Sequence, residues 1–158
     1  MIDLSKKQVV FAVWIIHSLA AHWHVTPSKI YHILNDTEIL DDYIIGCYDT
    51  LHTLGKEYLI EDISEFITER RGRPVDTSDA EAAASHKNCI TDIYLETLDE
   101  NIILSIADLK KISIRSALNG YYNSRLSEMI YTGRLNHKDL VPYEIASELL
   151  KIEHELFN

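Results

Sequence analysis

Apolar residues across positions 6–70 recur at steps of three and four, the period of an amphipathic helix and not the two-residue alternation of a strand. The spacing predicts a helix over 6–24, capped by Ser5, with Val9, Val10, Val13, Trp14, Ile16, Leu19, Ala20 and Trp23 as its apolar positions. Thr26-Pro27 then supplies an N-cap and a first helical residue for a second helix. It carries Ile30, Ile33 and Leu34 and ends near Asn35-Asp36. A third helix is predicted over 39–54, stacking Leu40, Tyr43, Ile44, Cys47 and Leu51 on one face, with Gly55 as its end. A fourth, over 56–70, presents Tyr58, Leu59, Ile63, Phe66 and Ile67. Short connections between these segments favour an N-terminal four-helix bundle.

The stretch 71–87 (RGRPVDTSDAEAAASHK) has Gly72, Pro74 and small polar residues but little apolar content. It predicts a division into a bundle over 1–71, a linker over 72–87 and a mainly helical second domain over 88–158. The second part is less periodic. Apolar runs at 93–98 and 102–106 flank Asp99-Glu100-Asn101, the pattern of a short β-hairpin. A helix over 90–98 fits as well, and both readings stay open. Ser105 and Asp108 have capping-box spacing. Beyond them, helices are expected over 114–131, with Leu118, Tyr121, Tyr122, Leu126, Met129 and Ile130, and over 142–156, with Ile145, Leu149, Ile152 and Leu156. The fold class is therefore mainly α, with a possible hairpin in its C-terminal region.

A chain of 158 residues that is 46% apolar can bury a substantial core. Its net charge of -10 divides evenly between residues 1–71 and 72–158, so neither half is a basic arm for phosphate backbones. Cys47 and Cys89 form no paired motif, as in proteins of a reducing cytosol, and Cys47 is expected as a small apolar residue within a helix. Lys6-Lys7 followed by an apolar run at 9–21 mimics a secretion signal. His17 interrupts that run, and no small-residue cleavage site follows it. The run is also shorter than the ~20 residues that span a bilayer. A buried helix in a cytoplasmic protein is the expectation.

The eight histidines do not make a metal site. His22 and His24 would point about 200° apart on a helix, and His17 and His24 would lie roughly 10 Å apart. No phosphate loop or nucleophile motif is present, and Asp41-Asp42 and Glu61-Asp62 fall on solvent-facing positions. Neither enzyme activity nor a cofactor is expected. Two binding surfaces are candidates. Ser28, Lys29, Tyr31 and His32 follow a helix break that resembles a helix-turn-helix, though Lys29 is the only fixed cation among them. Arg115, Tyr121, Tyr122 and Arg125 gather the residue types enriched in protein interfaces.

One stretch is distinctive. Asp42–Ile45, then Tyr48-Asp49-Thr50-Leu51-His52-Thr53-Leu54-Gly55, then Tyr58 through Ile67 resemble a bacterial family known as domain of unknown function 3791. The likeness covers about residues 8–68 and departs from the family pattern at Leu59, where a β-branched residue is expected. The resemblance implies a small helical protein encoded beside an ADP-ribosyltransferase-like protein, the two proposed as antitoxin and toxin. This chain would then be a non-enzymatic binder of a protein partner, occluding that partner's cleft; a DNA-binding regulator is the alternative, and self-association stays open. Within the motif, Tyr48, His52, Tyr58 and Asp62 are expected to form a structural clasp between the third and fourth helices.

Overall fold

A computed structural model describes residues 4–72, 89–131 and 141–157; the predicted linker falls, from residue 73 onward, outside them. Helix α1 (Lys6–Trp23) starts where the sequence places it. Ser5 accepts from the Gln8 amide, and the Gln8 side chain accepts from the Ser5 amide, a reciprocal capping box. Val9, Ala12, Val13, Ile16 and Leu19 are fully buried, and burial extends round most of the helix, so α1 lies at the centre of the fold. It ends at His24, whose left-handed backbone turns the chain by 111° into α2 (Pro27–Asp36), capped by Thr26. No single helix among the described residues is long and apolar enough to cross a membrane.

The predicted third helix is not continuous. Leu40–Ile45 forms a π-helical turn, followed by a short α3 (Tyr48–Leu51). A π-turn bonds each amide five residues back, as Gly46 does to Asp41, and so inserts an extra residue into the helical phase. Gly46 suits the site because a Cβ there would lie 2.6 Å from the Asp42 carbonyl oxygen. The phase slip keeps Leu51 buried and turns Cys47 out to solvent, which corrects its expected apolar setting. Helix α4 (Lys56–Arg71) follows as expected, burying Leu59, Ile63 and Ile67.

The hairpin does not form. Cys89–Lys110 is one helix, α5, and no strand occurs among the described residues. Leu95, Leu98, Asp99, Ile102, Ile103 and Ile106 are buried along it at alternating steps of three and one, a helical stripe with one carboxylate inside it. Asp99-Glu100-Asn101 is thus mid-helix and not a turn, and Ser105 and Asp108 lie inside α5 and not at a helix start. The helix expected over 114–131 breaks at the extended residue Ser124 into α6 (Ile114–Asn123) and α7 (Arg125–Tyr131). Helix α8 (Pro142–Ile152) is followed by a 3-10 turn, His154–Phe157.

Helix α5 packs along α8 and also against α1 and α6, while α2 contacts α6 and α7. Buried residues from both sides of the predicted linker therefore join one apolar cluster. At its edge the C-terminal turn presses Phe157 onto α6, where a Cβ on Gly120 would come within 2.2 Å of the ring. Gly120→Ala should therefore destabilise the protein by about 1–3 kcal/mol, the usual cost of overpacking. Phe157→Ala should cost a similar amount, and the double variant less than the sum of the two, because both changes act on one contact. Urea unfolding of the three variants checks this; strict additivity would contradict the contact.

Candidate functional site

Asp99 is the polar centre of the interior, only 5% exposed. Its Oδ1 accepts from Tyr121 Oη at 2.6 Å and its Oδ2 from Tyr122 Oη at 3.0 Å. His17 Nε2 lies 2.7 Å from the same Oδ2, and because a carboxylate only accepts, that nitrogen carries the proton. Burial, then the adjacent Asp99 charge, holds both tyrosine hydroxyls well above their ordinary pKa, so they remain donors.

A second cluster continues from it. Tyr122 stacks on Tyr31 with ring centroids 5.4 Å apart, and Tyr31 Oη donates to Asn119 at 2.6 Å. Arg115 Nη1 donates to the same Tyr31 hydroxyl at 3.0 Å. Its Nε and Nη2 grip both oxygens of Asp41 at 2.9 and 3.0 Å, and Nη2 also reaches Asn35 at 2.7 Å. Burial works against the guanidinium charge, but the Asp41 and Tyr31 bonds outweigh it and raise the pKa of Arg115. The π-turn sets the position of Asp41, and the Ser113 cap sets that of Arg115 two residues on.

These contacts reassign the predicted residues. Arg115, Tyr121 and Tyr122 are buried supports and not a partner-facing surface; only Arg125 of that group is exposed, and its backbone N–H donates to Glu153 Oε1. In the helix-turn-helix candidate, Ser28 is buried against Ser127 at 3.1 Å and Tyr31 is fully buried, leaving only Lys29 and His32 partly accessible. The four-residue clasp divides. His52 Nδ1 donates to the Tyr48 carbonyl at 2.7 Å, and the two rings stack 4.6 Å apart. Asp62 instead accepts from Tyr43, while Tyr58 is 57% exposed. The phase slip at the π-turn explains the exchange of Tyr48 for Tyr43. Among the described residues no three His, Cys, Asp or Glu side chains are grouped to hold a metal ion.

The open surface has a different chemistry. A groove of about 490 Å³ runs beside α1, floored by Val10, Phe11 and Trp14 and walled by Tyr48 and His52. Lys6 and Lys7 stand at its N-terminal end. Phe11 meets Trp14 and Tyr48 at centroid distances of 5.8 and 5.4 Å, and Val10 is 41% exposed. Sequence reasoning assigned Val10 and Trp14 to the interior because they fit the helical stripe; the short α3 leaves them partly uncovered. A second groove, of about 580 Å³, lies between Arg125, Leu126 and Met129 of α7 and the end of α8, where Ile152 is 74% exposed.

Residues 10–70 match the model of a family described as protein of unknown function (DUF3791), in line with the likeness carried by Tyr48–Ile67. No curated protein and no solved structure matches the chain.

Beside Asp99, burial, and then the charges of Glu96 and Asp99, raises the pKa of Glu100 to about 7 against the favourable pull of His17. The folded state thus holds this proton more tightly than the unfolded chain. Between the unfolded value of 4.5 and about 7 the stability contribution is progressively lost as pH rises. The melting temperature should fall between pH 5 and 8, and Glu100→Gln should flatten that decline. An equal slope in the variant would contradict the assignment.

Proposed function

We propose that this chain is a non-enzymatic protein-binding module, and that it acts as an antitoxin-like inhibitor of an ADP-ribosyltransferase-type toxin. The observation that supports binding is the groove along α1, where Val10, Trp14 and Tyr48 form an apolar surface reached by solvent over the buried Phe11 ring. Aromatic side chains in a concave site offer a large desolvation gain for little lost side-chain freedom, the character of interface anchors. The His17–Asp99–Tyr121–Tyr122 cluster has the residue types of a catalytic site, but each member is buried and engaged with the others, which favours a supporting role. The toxin partner follows from the family resemblance: an inhibitor of this kind needs a stable surface and no chemistry of its own.

A DNA-binding role would draw on the 111° bend between α1 and α2. Burial of Ser28 and Tyr31 and the net charge of -10 weigh against it.

Co-expression with the protein encoded next to it, followed by affinity capture and sizing, tests the proposal. The wild type should form a stable complex and relieve any growth defect the neighbour causes. Val10→Asp places a charge on the groove floor at an exposed position, and should abolish capture while shifting the melting temperature only slightly. A harmless neighbour and a chain that elutes alone would overturn the toxin reading. Undiminished capture by Val10→Asp would remove the groove from it.

A further inference from the structure

The groove also carries a sign of charge that specifies its occupant. The first turn of α1 contains Lys6 and Lys7 and no acidic residue. A helix N-terminus already bears positive partial charge, so two cations there are disfavoured for stability, and acids would be the stabilising choice. Neither ammonium has a carboxylate partner among the described residues. The cap does not use them either, because Ser5 and Gln8 satisfy one another. On a chain of net charge -10, two lysines without a carboxylate partner among the described residues and a helix N-terminus thus converge at one end of an open aromatic groove.

Position along the helix adds to this. Lys6, Lys7, Val10, Phe11 and Trp14 follow one another at helical steps and line the same groove. At ~1.5 Å rise per residue, the stripe is about 12 Å long, close to two turns of a partner helix. We propose that the groove binds an acidic amphipathic segment of the partner protein. Its apolar side chains lie over Val10, Phe11 and Trp14, and its carboxylates meet Lys6 and Lys7. This rests on the protein-binding reading and adds the chemistry of the bound segment. A protein segment fits better than an anionic bilayer: two lysines are few for a bilayer surface, and the net charge of -10 repels a negatively charged membrane.

The test uses the full chain and fluorescence anisotropy with two labelled fourteen-residue amphipathic probes, one of Leu and Glu, the other of Leu and Lys. The wild type should bind the Leu/Glu probe at least tenfold more tightly than the Leu/Lys probe. Reversing the patch with Lys6→Glu and Lys7→Glu should invert that preference. The same change should leave the melting temperature equal or higher, because it places acids at a helix N-terminus; lysines with a structural role would lower it. Equal binding of both probes, binding of neither, or an unchanged preference after charge reversal would overturn the inference. So would tighter association with phosphatidylserine vesicles than with the Leu/Glu probe. If Val10→Asp blocks capture of the neighbouring protein while charge reversal affects neither capture nor probe preference, the acidic-segment inference fails and the protein-binding reading stands. If Val10→Asp changes nothing, the groove itself has no part in binding.

Discussion

The fold depends on burying one carboxylate. Removing Asp99 from water costs several kcal/mol, and that cost is offset only if its lone pairs are filled with good geometry. His17 of α1 and Tyr121 and Tyr122 of α6 fill them, so two helices are held against α5 to within hydrogen-bond tolerance. The constraint then spreads. Tyr122 stacks on Tyr31, Tyr31 shares its hydroxyl with Arg115 and Asn119, and Arg115 fixes Asp41 on the π-turn. Residues 82 positions apart in the chain become neighbours in one polar chain through a mainly apolar interior.

This arrangement separates support from presentation. The interior network locks the buried faces of α1, α2 and α6, so the tyrosines and arginine that look most like interface residues are spent inside. What remains outside is a different set: the Lys6, Lys7 and Val10 edge of α1, beside Tyr48 and His52. Because α1 is capped at its start and buried along most of its length, its exposed edge is rigid. A groove on a rigid edge loses little entropy on binding, the property an inhibitory surface requires. Its aromatic floor and the two lysines at its end therefore carry the functional proposal.

Local signals were legible where local chemistry decides. Ser5 and Thr26-Pro27 mark helix starts because caps act within three residues, and the stripe of Leu59, Ile63 and Ile67 marks α4 for the same reason. The hairpin and the helix stay equally open in the sequence because Asp99-Glu100-Asn101 has turn composition while the flanking apolar residues fit a helix, and the structure takes the helix. The steps from Leu95 through Asp99 to Ile106 already fit a helix with a buried acid in its core stripe, and His17 occupies a comparable place on α1. A polar residue in each of two buried stripes was the available signal. The division into two domains rests on the character of 71–87, and buried residues on both sides of it belong to one apolar cluster. Arg115, Tyr121 and Tyr122 read equally as interface or half-buried residues because their partners are distant in sequence, and the π-turn leaves no periodic trace.

The central claim is that the Asp99 network joins the segments before and after 73–88 into one cooperative unit. Both tryptophans, Trp14 and Trp23, lie on α1, so their fluorescence follows the N-terminal segment, while far-UV circular dichroism follows every helix. Urea unfolding recorded by both probes should give a single coincident transition in the wild type. Asp99→Ala should lower the stability by about 3–5 kcal/mol, as when one partner of a buried polar network is removed. Separate transitions in the wild type, or a loss below about 0.5 kcal/mol in Asp99→Ala, of the size expected for a surface change, would contradict it.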